Sequence, residues 1–130
     1  MKSSFLKIFW FGISGTLGFV VDVCVFYALS SVSGYYLGRL FSFLSAATFT
    51  WAFNRFITFK IKESSPNIQE FILYILCMIV GGCINLGVFY LFIYIGGIFK
   101  EFPVLAIAAG SVAGMGINYI SSSLLWKNKC

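Results

Sequence analysis

Four long apolar runs constrain this chain more than any other feature. They cover about 5–30, 35–59, 70–96 and 102–126, and each exceeds the roughly 20 residues that carry a helix across about 30 Å of hydrocarbon. The connections between them, 31–34, 60–69 and 97–101, are too short to fold on their own, so all 130 residues are expected to form one membrane domain. The expected fold is all-α, with four transmembrane helices. With 60% hydrophobic and only 10% charged residues, and a mean hydropathy of +0.95, a soluble fold would have no polar surface to show to water. A globular catalytic activity is therefore expected from a partner, and no catalytic residue is assigned.

The first run is read as a mature helix and not a cleaved leader, because it is too long, carries Asp22 and resembles the third run. The closing Lys127-Asn128-Lys129-Cys130 is not expected to act as a prenylation box, which needs three residues after the cysteine. Cys24, Cys77 and Cys83 lie inside apolar runs, with no histidine and no Cys-x-x-Cys pair anywhere. They read as small packing residues, and neither a metal nor another cofactor is expected. Nor is a nucleic-acid partner.

Orientation follows from the lysines and arginines, which are enriched on cytoplasmic flanks. Lys2 and Lys7 precede or open the first helix, Arg55, Lys60 and Lys62 surround the central connection, and Lys127 and Lys129 follow the fourth helix; Arg39 and Lys100 belong to the opposite side. Both termini and the central connection should face the cytoplasm.

The halves also look like copies. Val25-Phe26-Tyr27 recurs as Val88-Phe89-Tyr90, which sets Asp22 against Asn85 and Gly18 against Gly81, while Phe59-Lys60 answers to Trp126-Lys127. Two helical hairpins with an even number of spans each form a parallel repeat, related by an axis along the membrane normal. Gly12, Gly15 and Gly18 in helix one, Gly81 and Gly82 in helix three, and Gly110 and Gly114 in helix four read as close-contact faces.

Asp22 is the most demanding residue, since a carboxylate so deep costs several kcal/mol unless paired, hydrated or protonated. Fifteen residues beyond Lys7, it lies about 22 Å along the helix, in the outer part of the membrane. Arg39 sits at a similar depth and could reach it. The two form either a structural ion pair fixing the first hairpin or part of a polar pathway for an anionic head group, with Asn85 adding a hydrogen-bonding group at the same level. Near the cytoplasmic face, Asn54, Arg55, Lys60 and Lys62 either enforce topology or gather around a lipid phosphate. Asn118 reads as interhelical glue.

These residues resemble the GtrA-like membrane proteins, four-helix proteins encoded with polyprenyl-phosphate glycosyltransferases. Phe11-Gly12-Ile13-Ser14-Gly15 followed by Asp22 is similar to that family's first-helix pattern, and Phe53-Asn54-Arg55-Phe56-Ile57-Thr58-Phe59 to its Asn-Arg-x-x-Thr-Phe signature. The second half keeps Asn118-Tyr119 and Trp126, but has Ser121-Ser122 where Asn-Arg often repeats and Met78 in place of a glycine. The resemblance implies movement of a polyprenyl-phosphate-linked sugar between leaflets of the cytoplasmic membrane, for synthesis or modification of surface polysaccharide. Arg55 would receive the phosphate, aided by Asn54 and Lys60, and Arg39, Asp22 and Asn85 would meet it near the exit.

Two other readings remain open, a non-transporting anchor for a polyprenyl-phosphate glycosyltransferase and a small multidrug exporter. The strong lysine and arginine asymmetry speaks against the exporter. Four helices offer little interior for a sugar phosphate, so a homo-oligomer or a complex with the partner enzyme is expected, in contact with membrane lipids.

Overall fold

The computed structural model describes residues 2–62 and 64–127, apart from the Lys2 side chain; the Lys2 ammonium, Lys129 and Cys130 lie outside the described residues. Helix α1 runs over Lys2–Phe53 and passes into a π-helical turn at Asn54–Thr58; α2 is Ile68–Ile95, α3 the single turn Ile98–Glu101, and α4 Pro103–Leu125. No strand occurs among the described residues. Three helical stretches are long and apolar enough to cross a membrane, Ser3–Thr58, Ile68–Ile95 and Pro103–Leu125.

The first of these, 56 residues, would extend about 84 Å if straight, far more than a bilayer's hydrocarbon. It is folded instead. Gly34, at φ 83° and ψ 172°, breaks the helix, in a region of backbone space that a Cβ disfavours. The two arms then lie against each other: Gly18 faces Thr50 and Ala46, Trp10 meets Phe53 at 6.4 Å between ring centroids, and Asp22 pairs with Arg39. Gly38 permits the approach beside the fold, since a Cβ there would stand 3.0 Å from the Ser30 Cα.

The expected boundaries need correction at each connection. The 31–34 loop shrinks to Gly34 alone, because helical geometry persists through Ser33, whose hydroxyl donates to the Leu29 carbonyl at 2.8 Å. Regular α-helix ends at Phe53, not Phe59; the wider turn that follows, closed by Phe59 N–H to Asn54 O at 2.8 Å, buries Asn54, Arg55 and Thr58 together. Helix α2 starts at Ile68, two residues early, because the Asn67 side chain caps it by accepting from Glu70 N–H at 2.8 Å. The 97–101 connection is itself a helical turn, entered through Gly96 and Gly97 at φ 82° and 59°.

One end of the bundle gathers Lys7, 5.7 Å from the Phe59 ring, with Trp126 at 5.0 Å from Phe59 and 5.4 Å from Tyr74. At the other end Tyr35 OH donates to Lys100 O at 3.4 Å and Val104 N–H to Tyr27 OH at 3.2 Å. The apolar core is accordingly split. Phe11, Phe59, Ile61, Tyr74, Met78 and Trp126 pack at the first end, and Phe26, Phe89, Ile93, Ala106 and Ile107 towards the second. Two pairs of residues that correspond between the sequence halves touch, Phe26 with Phe89 at 5.6 Å and Phe59 with Trp126 at 5.0 Å.

Polarity is inverted relative to a water-soluble protein. Phe5, Val32, Tyr94, Val112 and Leu124 are exposed, whereas Ser14, Asp22, Arg39, Ser42, Asn54, Arg55, Glu70 and Asn85 are buried. Hydrocarbon is the solvent that suits this surface, and the protein is a multi-pass membrane protein. Cys24 and Cys83 are exposed and Cys77 half-buried, so the packing role expected for the first two does not hold.

Close backbone contact is concentrated between α2 and α4. A Cβ on Gly114 would stand 2.6 Å from the Gly81 carbonyl oxygen, and one on Gly110 would strike the Asn85 carbonyl, whereas Gly12 and Gly116 have open space. Backbone cannot yield as a side chain can. Gly114→Ala is expected to destabilise by about 1–3 kcal/mol through overpacking, and Gly116→Ala to change little, as read from unfolding midpoints in mixed micelles.

Candidate functional site

The buried polar residues form two ion-paired centres with a cavity between them. In the first, Arg39 lies on the second arm of α1, five residues beyond the fold at Gly34, and is fully buried. Its Nη1 donates to Asp22 Oδ1 and, at 3.1 Å, to Ser42 Oγ; its Nη2 donates to Asn85 Oδ1 at 2.6 Å. The guanidinium carbon stands 5.3 Å from the Phe89 ring centroid, a cation–π arrangement. One guanidinium thus joins Asp22 to Asn85, its counterpart in the other half of the sequence. Ser42 comes within reach because it follows Arg39 by one helical turn.

The second centre is Arg55, 1% exposed. Its Nε donates to Glu70 Oε1 at 2.5 Å and its Nη2 to Glu70 Oε2 at 3.3 Å, a two-point grip on the carboxylate. The same Nη2 donates to Ser64 O at 2.6 Å, and Nη1 to Ile61 O at 3.4 Å. Arg55 therefore ties the π-helical turn, the 60–67 connection and the start of α2 together. The geometry is that of a structural pin, and the phosphate-receiving surface expected of Arg55 is occupied by the chain's own acceptors. Lys60 and Lys62 are exposed nearby. Lys60 has φ 52°, the one non-glycine residue with positive φ among those described.

Asn54 faces the opposite way from its neighbour. It accepts from Thr58 Oγ1 at 2.9 Å and donates to Tyr74 OH at 3.4 Å, and Tyr74 in turn donates to Thr50 Oγ1 at 3.3 Å. This short network closes one end of a cavity of about 330 Å³. The first arm of α1 contributes Phe11, Ser14, Gly15, Phe19 and Asp22; the second arm contributes Phe43, Ala46, Ala47, Thr50 and Asn54. Helix α2 adds Tyr74, Met78 and Asn85, and α4 adds Ala108, Ser111, Val112, Met115 and Asn118. From Phe11 to Asp22 the cavity follows the first arm for about 16 Å.

Its lining residues with exposed surface are Thr16 on the first arm and Val112 and Met115 on α4. The mouth therefore opens sideways between these two elements, towards lipid. Small residues leave this space on both arms of α1 and on α4, Gly15 and Gly18, Ala46 and Ala47, and Ala108 and Ser111. Ser14 Oγ and Asn118 Oδ1 are buried and have no hydrogen-bond partner among the described residues; Asn118 Oδ1 packs against Gly81 of α2.

Of the residues singled out from the sequence, Asp22, Arg39 and Asn85 come together, Asn54 lies at the far end of the cavity that Asp22 and Asn85 also line, and Arg55 and Lys60 lie outside it. Sequence reasoning missed Glu70 as the partner of Arg55. A signal was present: the chain has four acidic residues, and Asp22 and Glu70 are the two that fall in long apolar runs, matching the two buried arginines. The family model described as GtrA/DPMS, transmembrane domain, matches residues 10–126. The chain belongs to the GtrA/DPMS transmembrane-domain family. Comparisons with curated proteins and with solved structures gave no match.

The GtrA/DPMS match spans both ion pairs and the whole cavity, and it places the protein among membrane proteins that handle lipid-linked sugars. The two halves of this GtrA/DPMS domain differ at Asp22 and Asn85, which both hold Arg39, and again at Arg55. Arg55 of the first half pins Glu70, and the corresponding Ser122, also buried, carries no charge to do the same.

Proposed function

We propose that this GtrA/DPMS domain moves a polyprenyl-phosphate-linked monosaccharide across the cytoplasmic membrane, for the synthesis or modification of surface polysaccharide. The observation that carries the reading is the cavity: a polar-lined space inside an apolar bundle, open sideways to lipid. A lipid-linked sugar needs a polar route only for its head, since the prenyl chain can stay in hydrocarbon. The two arms of α1, with α2 and α4, act as four spans arranged as two parallel hairpins. Contacts between corresponding residues, Phe26 with Phe89 and Phe59 with Trp126, support an axis running between the halves. Lys7, Lys60, Lys62 and Lys127 gather at one end, which is the cytoplasmic one by the charge bias.

In this reading Lys60 and Lys62 meet the phosphate at the head-group level, while Arg55 holds the turn that presents them. The lipid-linked sugar comes from a polyprenyl-phosphate glycosyltransferase, and the domain works beside that enzyme or as a homo-oligomer. A second reading, a membrane anchor for the enzyme, is favoured by the mutual neutralisation of both buried ion pairs. Purified protein in vesicles carrying a labelled polyprenyl-phosphate sugar in one leaflet separates the two. Exchange well above protein-free vesicles is expected of a translocator; a rate equal to theirs leaves the anchor.

A further inference from the structure

We propose that the prenyl chain of the lipid-linked sugar is seated, while its head crosses, in an apolar groove along the first arm of α1 that joins the cavity at its mouth. This rests on the translocation reading and adds where the substrate's apolar part lies. Ile8, Gly12 and Thr16 follow one another at four-residue intervals, as do Phe9, Ile13 and Leu17, so two neighbouring ridges of one helix face form the groove. Met115 of α4 closes it from the other side, and its volume is about 510 Å³. Ile8, Phe9, Leu17 and Met115 are all exposed.

The floor suits a hydrocarbon chain. Thr16 is the one polar side chain of the lining, and its hydroxyl donates to the Gly12 carbonyl at 3.0 Å, so it asks for no outside partner. At Gly12 a Cβ would meet nothing within 4 Å, which leaves bare backbone between the Ile8 and Thr16 side chains. A polyprenyl chain carries a methyl branch on every unit, and this gap has room for one. The wall formed by Met115 is unbranched and adaptable.

Continuity with the cavity decides the occupant. Thr16 and Met115 line both spaces, and Met115 Sδ would stand 3.6 Å from a Cβ on Gly15, which lines the cavity. A molecule with a polar head and an apolar chain therefore fits across the boundary, its head within and its chain outside. From Ile8 to Leu17 the groove follows the arm for about 14 Å, near half of the roughly 30 Å of hydrocarbon, so the junction lies deep in the bilayer. A phospholipid at rest keeps its head at the membrane surface; a head that reaches this junction is one in the course of crossing.

The test places a photo-crosslinking benzophenone side chain at position 9 in place of Phe9 or, as a control on another lipid-facing surface, at position 73 in place of Leu73, which is exposed on α2. Each protein is reconstituted in phospholipid vesicles with chain-labelled polyprenyl-phosphate glucose or chain-labelled dipalmitoyl phosphatidic acid. In lipid the gain is one of close packing, summed over many small contacts, and a preference of about fivefold for the prenyl lipid at position 9 is expected, with none at position 73. Gly12→Leu should abolish the preference while the melting temperature holds, because the space there is open. Gly116→Leu, equally open but on α4 away from the groove, should leave it intact. Equal labelling by the two lipids at position 9, a preference that survives Gly12→Leu, or crosslinks chiefly to a second copy of the chain would each overturn the assignment. A Gly12-dependent preference without leaflet exchange keeps the groove and removes the translocation reading; exchange that Gly12→Leu does not alter removes the groove and keeps translocation.

Discussion

Arg55→Ala is expected to destabilise the protein by about 3–5 kcal/mol, because it takes the guanidinium away from the carboxylate of Glu70, a residue only 2% exposed. The loss is one of folding before it is one of function. Glu70 would lose the two-point grip at 2.5 and 3.3 Å, and the 60–67 connection would lose the donor to Ser64 O. Arg55→Leu combined with Glu70→Leu is expected to recover most of the lost stability, since replacing both members of a buried pair is often close to neutral. Unfolding of the two single variants and the double variant in mixed micelles gives the coupling directly. If Arg55 instead served mainly to hold a lipid phosphate, Arg55→Ala would keep wild-type stability and lose only sugar transfer to the cell surface, an outcome that excludes the pinning role.

Asp22 and Arg39 are expected to behave alike in stability and differently in function. Asp22→Asn leaves a fully buried guanidinium facing Ser42 and Asn85 with no counter-charge, and a loss of about 3–5 kcal/mol is expected. Arg39→Gln should cost a similar amount. Asp22→Asn with Arg39→Gln removes both charges while leaving amides of similar shape, so the bundle should refold near wild-type stability. If the domain translocates as proposed, leaflet exchange by this double variant should nevertheless fall at least tenfold, about 1.4 kcal/mol on the barrier, because Asp22 lines the cavity. A double variant that is stable and still decorates the surface normally would assign the pair to architecture alone, and with it the protein to anchoring.

The two centres differ in how readable they were. Asp22 and Arg39 sit in adjoining apolar runs joined by a short connection, so a hairpin brings them level and their pairing follows from helix rise. Arg55 and Glu70 flank the longest connection, where the residues offer no period to extrapolate. Arg55 looks like one of several surface cations there, and only the π-helical turn, which buries Asn54 and Arg55 together, turns it inward. The signature Asn54-Arg55-x-x-Thr58-Phe59 was visible as a pattern. Its work as a wide turn, with Thr58 held to Asn54 at 2.9 Å and the Phe59 ring tilted against Trp126 at 5.0 Å, was not.

The glycines divide in the same way. Gly110 and Gly114 were legible as a contact face, and α4 does meet α2 there through Gly81 and Asn85. Gly12 belongs to an equally regular ladder and has open space around it. Spacing along a helix states which residues share a face, and not whether a neighbour comes to it.

The sequence by itself determined the class of solvent, the near-continuous helicity, the likeness of the halves and the family, because hydropathy and short motifs are properties of consecutive residues. Tertiary structure alone decided which carboxylate answers Arg55, that one guanidinium joins Asp22 to Asn85, and that Asn118 comes against Gly81. Those facts depend on distances between separate segments of the chain. Such distances are set by how closely small residues let helices approach, which no single run of residues encodes.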